Sequence, residues 1–357
     1  MSQKSADISA DVGERTRALL VGCGDISRTW LRAVRDIPEL EIVGLVDIRP
    51  QAAKQLAVEF ELEQNVAIAE ELGSALDHTG AEVVFNCTVP EAHLAVTLDA
   101  LERGCHVLTE KPLADSMVHA RQLVDAAQTA GRLLAVVQNR RYDARIRQLR
   151  HFLRSGALGS ITTVHSDFFM GAHTNSFRDR IEHPLLLDMA IHTFDAARLI
   201  TGADPVSVYC HEWNPAGSWY DGDASLVAIF EMSAGIVYTY RGSWCAEGLN
   251  TTWESDWRIM GERGAVTWDG ADDFRVEVVD KTGSFYSEMK QVKIPSYNAG
   301  DKTGGHGGVI REFIRCVRLG GTPETVGTDN IRSLAMVFAA IQSTGLHRAV
   351  AVDLSAH

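Results

Sequence analysis

The chain has 357 residues, of which 45% are hydrophobic and 23% charged, with a formal net charge of -13. That length suits about two domains at roughly 150 residues each, and the composition excludes wholesale disorder. The negative charge disfavours nucleic acid and anionic membrane surfaces as partners. No stretch approaches the ~18 apolar residues of a membrane span, and Met1 to Arg17 lacks the apolar centre of a secretory signal. Six cysteines at 23, 87, 105, 210, 245 and 316 form no C-x-x-C pair and read as buried free thiols. A cytoplasmic protein is expected.

Residues 1–16 read as a flexible leader of small and charged residues. From 17 to 142, short apolar runs alternate with helical segments. The runs are Ala18–Val21, Ile42–Val46, Val83–Cys87, His106–Leu108 and Leu133–Val137. Helices are expected over 29–36, 51–60, 91–103 and 115–130. Continuous apolar strands joined by crossover helices predict a doubly wound parallel sheet of the Rossmann type. From 143 onward the character changes to a second α/β domain with a large, mostly antiparallel sheet. Its strands are Ile161–Met170, Val206–Trp213, Ser225–Met232, Ile236–Ser243, Trp257–Met260, Ala265–Trp268 and Phe274–Val279. Helices are expected over 143–155, 184–201, 309–319 and 328–347. This unit, 143–357, is expected to bind substrate and to form a homodimer or homotetramer through its sheet.

Gly22-Cys23-Gly24-Asp25-Ile26-Ser27 follows the first strand and opens the first helix. Gly22 suits the tight turn, and Gly24 lets a pyrophosphate approach the helix N-terminus. Ser27 stands where a third glycine is usual, so the motif is incomplete. Asp47 ends the second strand, 25 residues after Gly22, at the spacing of a carboxylate that binds ribose hydroxyls. It favours NAD, since it would repel a 2′-phosphate. Arg49 beside it keeps NADP possible.

Two further stretches, together with Gln138-Asn139-Arg140-Arg141-Tyr142, complete the pattern. The first is Thr88-Val89-Pro90-Glu91-Ala92-His93, followed by Thr109-Glu110-Lys111-Pro112. The second is Asp188-Met189-Ala190-Ile191-His192-Thr193-Phe194-Asp195. In these the chain resembles the Gfo/Idh/MocA family, which includes glucose–fructose oxidoreductase and inositol dehydrogenase. The resemblance implies NAD(P)-dependent chemistry on a secondary alcohol of a sugar, glycoside or cyclitol, of the glycoside 3-dehydrogenase or inositol 2-dehydrogenase type.

On that reading Lys111 steadies the developing alkoxide, Glu110 orients it, and His192 is the general base. Asp188 accepts a substrate hydroxyl and tunes the base. Asp188, His192 and Asp195 stand at i, i+4 and i+7, which predicts one shared helix face. Asp195 is the least secure of the three and has a buried arginine or a backbone group as its other partner. The cofactor residues are then Gly22, Gly24, Asp25, Ile26, Asp47, Arg49, Thr88, Pro90, His93, Glu110, Lys111 and Gln138. Arg141, Tyr142, Arg178 and Trp244 join Asp188 and His192 as candidates for the substrate pocket. No metal is expected. Gly305-His306-Gly307-Gly308 reads either as a loop over the site or as a surface turn. An alternative class is a hydrolase or lyase that keeps NAD bound and oxidises its substrate transiently.

Overall fold

The computed structural model describes residues 15–173 and 176–354, so the expected leader lies almost wholly outside the described residues. The first sheet is parallel. Its strands are β1 (Thr16–Val21), β2 (Leu40–Val46), β3 (Ala67–Ala69), β4 (Val83–Asn86), β5 (His106–Thr109) and β6 (Leu134–Val136). Their order is β3-β2-β1-β4-β5-β6. The crossover helices are α1 (Asp25–Val34), α2 (Pro50–Glu59), α3 (Leu72–Thr79), α4 (Pro90–Glu102) and α5 (Met117–Ala130). Ala18, Leu19 and Leu20 of β1 are all fully buried, which explains the unbroken apolar run. Strand order reverses between β1 and β4, where open α/β sheets bind ligands beyond the strand ends. β3 and α3 carry too few apolar residues to stand out in the sequence.

Past β6, a 3₁₀ turn at Asn139–Tyr142 leads into α6 (Ala144–Arg154) and β7 (Ile161–Phe169). A π-helical turn, Leu185–Ala190, runs directly into α7 (Ile191–Thr201). The remaining strands are β8 (Pro205–Trp213), β9 (Ser225–Met232), β10 (Val237–Ser243), β11 (Asp256–Gly261), β12 (Gly264–Trp268), β13 (Phe274–Lys281), β14 (Glu288–Val292) and β15 (Val350–Ala351). With β7 they form a nine-stranded sheet, β14-β13-β12-β11-β7-β10-β9-β8-β15. All its pairings are antiparallel except β7 with β10. β8 alternates: Val208, Cys210 and Glu212 face inward, while Tyr209 and Trp213 are exposed on the other face.

Two helices close the chain, α8 (His306–Leu319) and α9 (Gly327–Leu346). α8 leaves the second sheet and returns to the first. Val309, Ile310, Phe313 and Ile314 pack with Leu20, Trp30, Leu31 and Phe85 in one buried cluster. Val136 donates its backbone N–H to the Thr325 carbonyl at 3.0 Å, tying β6 to the same returning segment. All six cysteines are free thiols. No helix among the described residues is long and apolar enough to cross a membrane.

Candidate active site

The site assembles where the first sheet's strand ends meet α7. Gly22 follows β1 with φ +90°, a conformation that favours glycine. A side chain there would sit 2.7–2.8 Å from the backbone of Cys87 and Thr88, so only glycine lets the two strand ends approach. Beyond Gly24 the space is open, with no atom within 4 Å of where a Cβ would stand. α1 begins there with no side-chain cap, leaving its first N–H groups to a ligand. Ser27 is fully buried and its hydroxyl donates to the Gly24 carbonyl, so a small polar residue replaces the third glycine without crowding.

Asp47 is buried. It accepts from the Cys23 N–H at 2.8 Å through Oδ2 and from the Arg49 N–H at 2.8 Å through Oδ1. The carboxylate therefore braces the glycine turn and retains lone pairs for a ribose hydroxyl. Asp25 is exposed and pairs with Arg28 at 3.5 Å, and Ile26 is partly exposed beside it. An open glycine cradle, an uncapped helix start and a braced carboxylate fit a dinucleotide.

Lys111 stands two residues after β5, beyond its C-terminal end, and its peptide to Pro112 is cis. Its Nζ donates to Asp188 Oδ1 at 2.7 Å and to the Asp188 carbonyl at 2.8 Å. Arg178 Nε donates to Oδ2 of the same carboxylate at 2.9 Å. Burial would raise the Asp188 carboxyl, but Lys111 and Arg178 outweigh it and hold the group below its usual range. Asp188 is therefore a fixed anion between two cations.

His192 lies one turn further along. Burial first, then the charges of Arg140, Lys111 and His306, depress its pKa well below the ordinary imidazole value. The ring is neutral at physiological pH, and its buried Nδ1 has no partner. Glu110 is buried beneath Lys111. It accepts from the Trp30 indole at 2.7 Å and from the Lys111 N–H at 3.1 Å, and His306 Nε2 lies 3.4 Å away. Burial opposes its charge, but His306, Trp30 and Lys111 more than offset this.

The other expected cofactor neighbours are mostly scaffolding. His93 is fully buried, with Nδ1 2.8 Å from the Pro112 carbonyl and Nε2 3.1 Å from the Thr88 carbonyl. Burial lowers its pKa, so the neutral ring donates to one of the two and clamps the Thr88 loop to the Lys111 turn. The Thr88 hydroxyl donates to Asn86 Oδ1 at 2.6 Å, and Pro90 starts α4. Gln138 is buried and donates to the Ile191 carbonyl at 3.4 Å, leaving its Oε1 without a partner.

Four expectations for the substrate side need correcting. Asp188, His192 and Asp195 do not act as one face, because the π turn at 185–190 widens the spiral before α7 begins. Asp195 turns away and accepts from Arg141 through both oxygens at 2.7 Å and from Ser333 at 2.6 Å. Arg141 also pairs with Asp329 at 2.7 Å, which commits its guanidinium to structure. Tyr142 is fully buried with its hydroxyl donating to Glu312. Trp244 is likewise buried against Phe168 and Trp253, so Trp253 is the accessible ring of that cluster.

Sequence reasoning missed Trp30 and Arg140 as neighbours of the site, and Trp30 gave no signal. Of the two readings offered for the glycine-rich segment, a loop over the site or a surface turn, the structure favours the first, since His306 Nε2 lies 3.4 Å from Glu110.

A Rossmann sheet with an open glycine cradle, beside a lysine, an aspartate and a neutral histidine, defines an NAD-binding oxidoreductase. The chain belongs to the Gfo/Idh/MocA family. The model described as oxidoreductase family, NAD-binding Rossmann fold matches residues 16–138, and the family's C-terminal domain model matches 146–267. The chain is 25% identical to a D-apiose dehydrogenase of Paraburkholderia graminis, over 94% of this chain and 90% of the relative. It is 23% identical to an inositol 2-dehydrogenase of Rhizobium meliloti, over 93% and 98%. Among solved structures, an oxidoreductase from Agrobacterium radiobacter, in complex with NAD+, L-tartaric acid and magnesium, superposes with a TM-score of 0.82. It is 21% identical, over 95% of this chain and 98% of that one, a likeness of fold.

Proposed function

We propose that this chain oxidises a secondary alcohol of a sugar, glycoside or cyclitol. The observation that carries the reading is the Lys111–Asp188 pair beside the neutral, unpartnered imidazole of His192. NAD, when bound, supplies the hydride acceptor. Gly22, Gly24 and the start of α1 would hold its pyrophosphate, and Asp47 would take a ribose hydroxyl, which favours NAD over NADP. His192 accepts the proton of the reacting hydroxyl, as a depressed pKa allows at neutral pH. Lys111 would steady the charge that develops on that oxygen. Asp188 positions Lys111 and stays ionised throughout. The dehydrogenases named among its relatives act on an aldose and a cyclitol, in keeping with this class of substrate.

The exposed face of the nine-stranded sheet, with Tyr209, Trp213, Ile229 and Val237, is the proposed surface for self-association. Light scattering of the purified protein tests that assignment, a monomer being the contrary result. The activity is tested by incubating the protein with NAD+ and a panel of sugars, glycosides and inositols while following NADH absorbance. NADH accumulating in step with one substrate supports the reading. No NADH from any of them, together with no calorimetric uptake of NAD+, would refute it.

A further inference from the structure

The chain carries a net charge of -13, yet α6 (Ala144–Arg154) has four arginines, one histidine and no acidic residue. Arg147, Arg150, His151 and Arg154 stand at i, i+3, i+4 and i+7 and share one helix face. Like charges at those spacings repel. The negative end of the helix accounts for His151 and Arg154 in the last turn, but not for Arg147 and Arg150 further back.

That face is one wall of a cavity of about 320 Å³, lined by Arg147, Arg150, His151, Arg154, Ser155 and Tyr297. The facing wall comes from the segment after β14 and is fixed to the helix. Gln148 Nε2 donates to the Pro295 carbonyl at 2.9 Å, and the Tyr297 ring stacks on His151 with centroids 4.3 Å apart. None of the lining residues belongs to the dinucleotide cradle at Gly22, Gly24 and Asp47.

The cations here outnumber the anions within reach. Glu324 is already committed: it accepts from Arg147 Nη1 at 3.1 Å and Nη2 at 2.8 Å, and it also pairs with Lys302. Burial opposes its charge, but Arg147 and Lys302 outweigh this and bring its pKa down to about 2. Arg147 is 5% exposed, and its Nε still lacks a hydrogen-bond partner. Arg150 and Arg154 have no ion-pair partner among the described residues. Burial lowers the pKa of Arg150; Glu324 pulls it up, and Arg147, Arg154 and Arg141 push it down again. A guanidinium keeps its charge regardless, so surplus positive charge faces the cavity.

We propose that this cavity is a binding site for a phosphate group, free or carried on a small molecule, separate from the dinucleotide cradle. Guanidinium forks match phosphate oxygens in pairs, and the volume lies at the small end of the range for small-molecule sites. An anion there would offset the repulsion along the helix face. The proposal is independent of which alcohol the enzyme oxidises.

The test titrates inorganic phosphate and D-glucose 6-phosphate, by calorimetry, into the full chain already loaded with NAD+. Sodium chloride holds ionic strength constant, so that screening is the same throughout. One saturable site is expected. Tighter binding of the ester assigns the site to a phosphorylated small molecule, and equal binding assigns it to free phosphate. Arg150→Gln should weaken binding by about tenfold or more, and Arg150→Lys, which keeps a charge but loses the fork, by less. Arg154→Gln, at an exposed residue, should weaken it without touching the packing of the helix. Arg348→Gln, at an exposed residue beyond α9, should leave it unchanged. No saturable binding of either probe overturns the proposal. So does binding that Arg150→Gln and Arg154→Gln leave undiminished, or that Arg348→Gln weakens equally. Binding to the chain without NAD+ but not with it places the phosphate in the cradle and also overturns the proposal.

Discussion

The Lys111 ammonium sits 2.7 Å from Oδ1 and 2.8 Å from the backbone carbonyl of Asp188, a residue 77 positions later. Two contacts to one residue fix the amine in direction as well as distance. Replacing Lys111 with alanine should lower kcat by about 10²–10⁴, the range for a positioned proton-transfer or charge-stabilising group. NAD+ affinity measured by calorimetry should change only a few-fold. Turnover within a factor of ten of the parent would remove Lys111 from the mechanism.

Asp188→Asn keeps shape and removes charge. Two cations then lose their counterion, and breaking a buried pair costs about 3–5 kcal/mol, toward the low end here because Arg178 is partly in solvent. Urea unfolding should report this loss together with a fall in kcat. The folded pKa of Asp188 lies below its ordinary value of 3.8, so its stabilising effect is complete above that value. The effect disappears as pH falls through the lower folded value. Acid unfolding of the Asp188→Asn variant should therefore lack that component.

His192 runs on a different pH window. Its folded pKa lies well below the ordinary 6.5, so below pH 6.5 the unfolded chain takes up a proton that the folded chain refuses. Stability attributable to this residue falls as pH falls below 6.5. The acidic limb of kcat/KM should lie below pH 6.5 as well, since the base remains neutral to that point. His192→Gln should abolish most turnover and flatten this part of the stability profile. A rate profile still falling on the acid side above pH 7 would contradict the assignment.

Asp47→Ala should raise the relative use of NADP+ by removing the charge that repels a 2′-phosphate. It should also weaken NAD+ by about 10- to 100-fold, because a ribose hydroxyl loses a charged acceptor worth about 1.5–3 kcal/mol. Comparison of kcat/KM for the two coenzymes decides this. An unchanged ratio would place selectivity elsewhere.

Arg141→Met separates scaffold from pocket. It strands Asp195, which is 1% exposed, and should cost about 3–5 kcal/mol in urea unfolding. KM for the substrate should stay within a few-fold at temperatures where the variant is folded. A large rise in KM with intact stability would return Arg141 to the substrate pocket.

Much of this was legible from sequence because its causes are local. Ala18-Leu19-Leu20-Val21 reads as a strand buried on both faces, and Gly22 follows where the turn demands it. Lys111, Asp188 and His192 stand in recognisable motifs. The π turn was not legible: Leu185–Ala190 has the apolar content of an α-helix, and one widened turn leaves no periodic trace in six residues. Hence Asp195 does not share a face with Asp188; of the partners expected for it, the structure supplies the buried arginine, in Arg141. β14, with Glu288, Lys290 and Gln291, lacks an apolar face, and β15 is only two residues long.

The return of α8 has a consequence for anyone cutting the gene. Leu20, Trp30, Leu31 and Phe85 meet Val309, Ile310, Phe313 and Ile314, supplied from the far end of the chain. A fragment stopping near residue 142 would leave one flank of its own sheet greasy and uncovered, inviting aggregation. The nucleotide-binding half therefore completes its core only when α8, more than 200 residues beyond Phe85 in the chain, has folded back onto it.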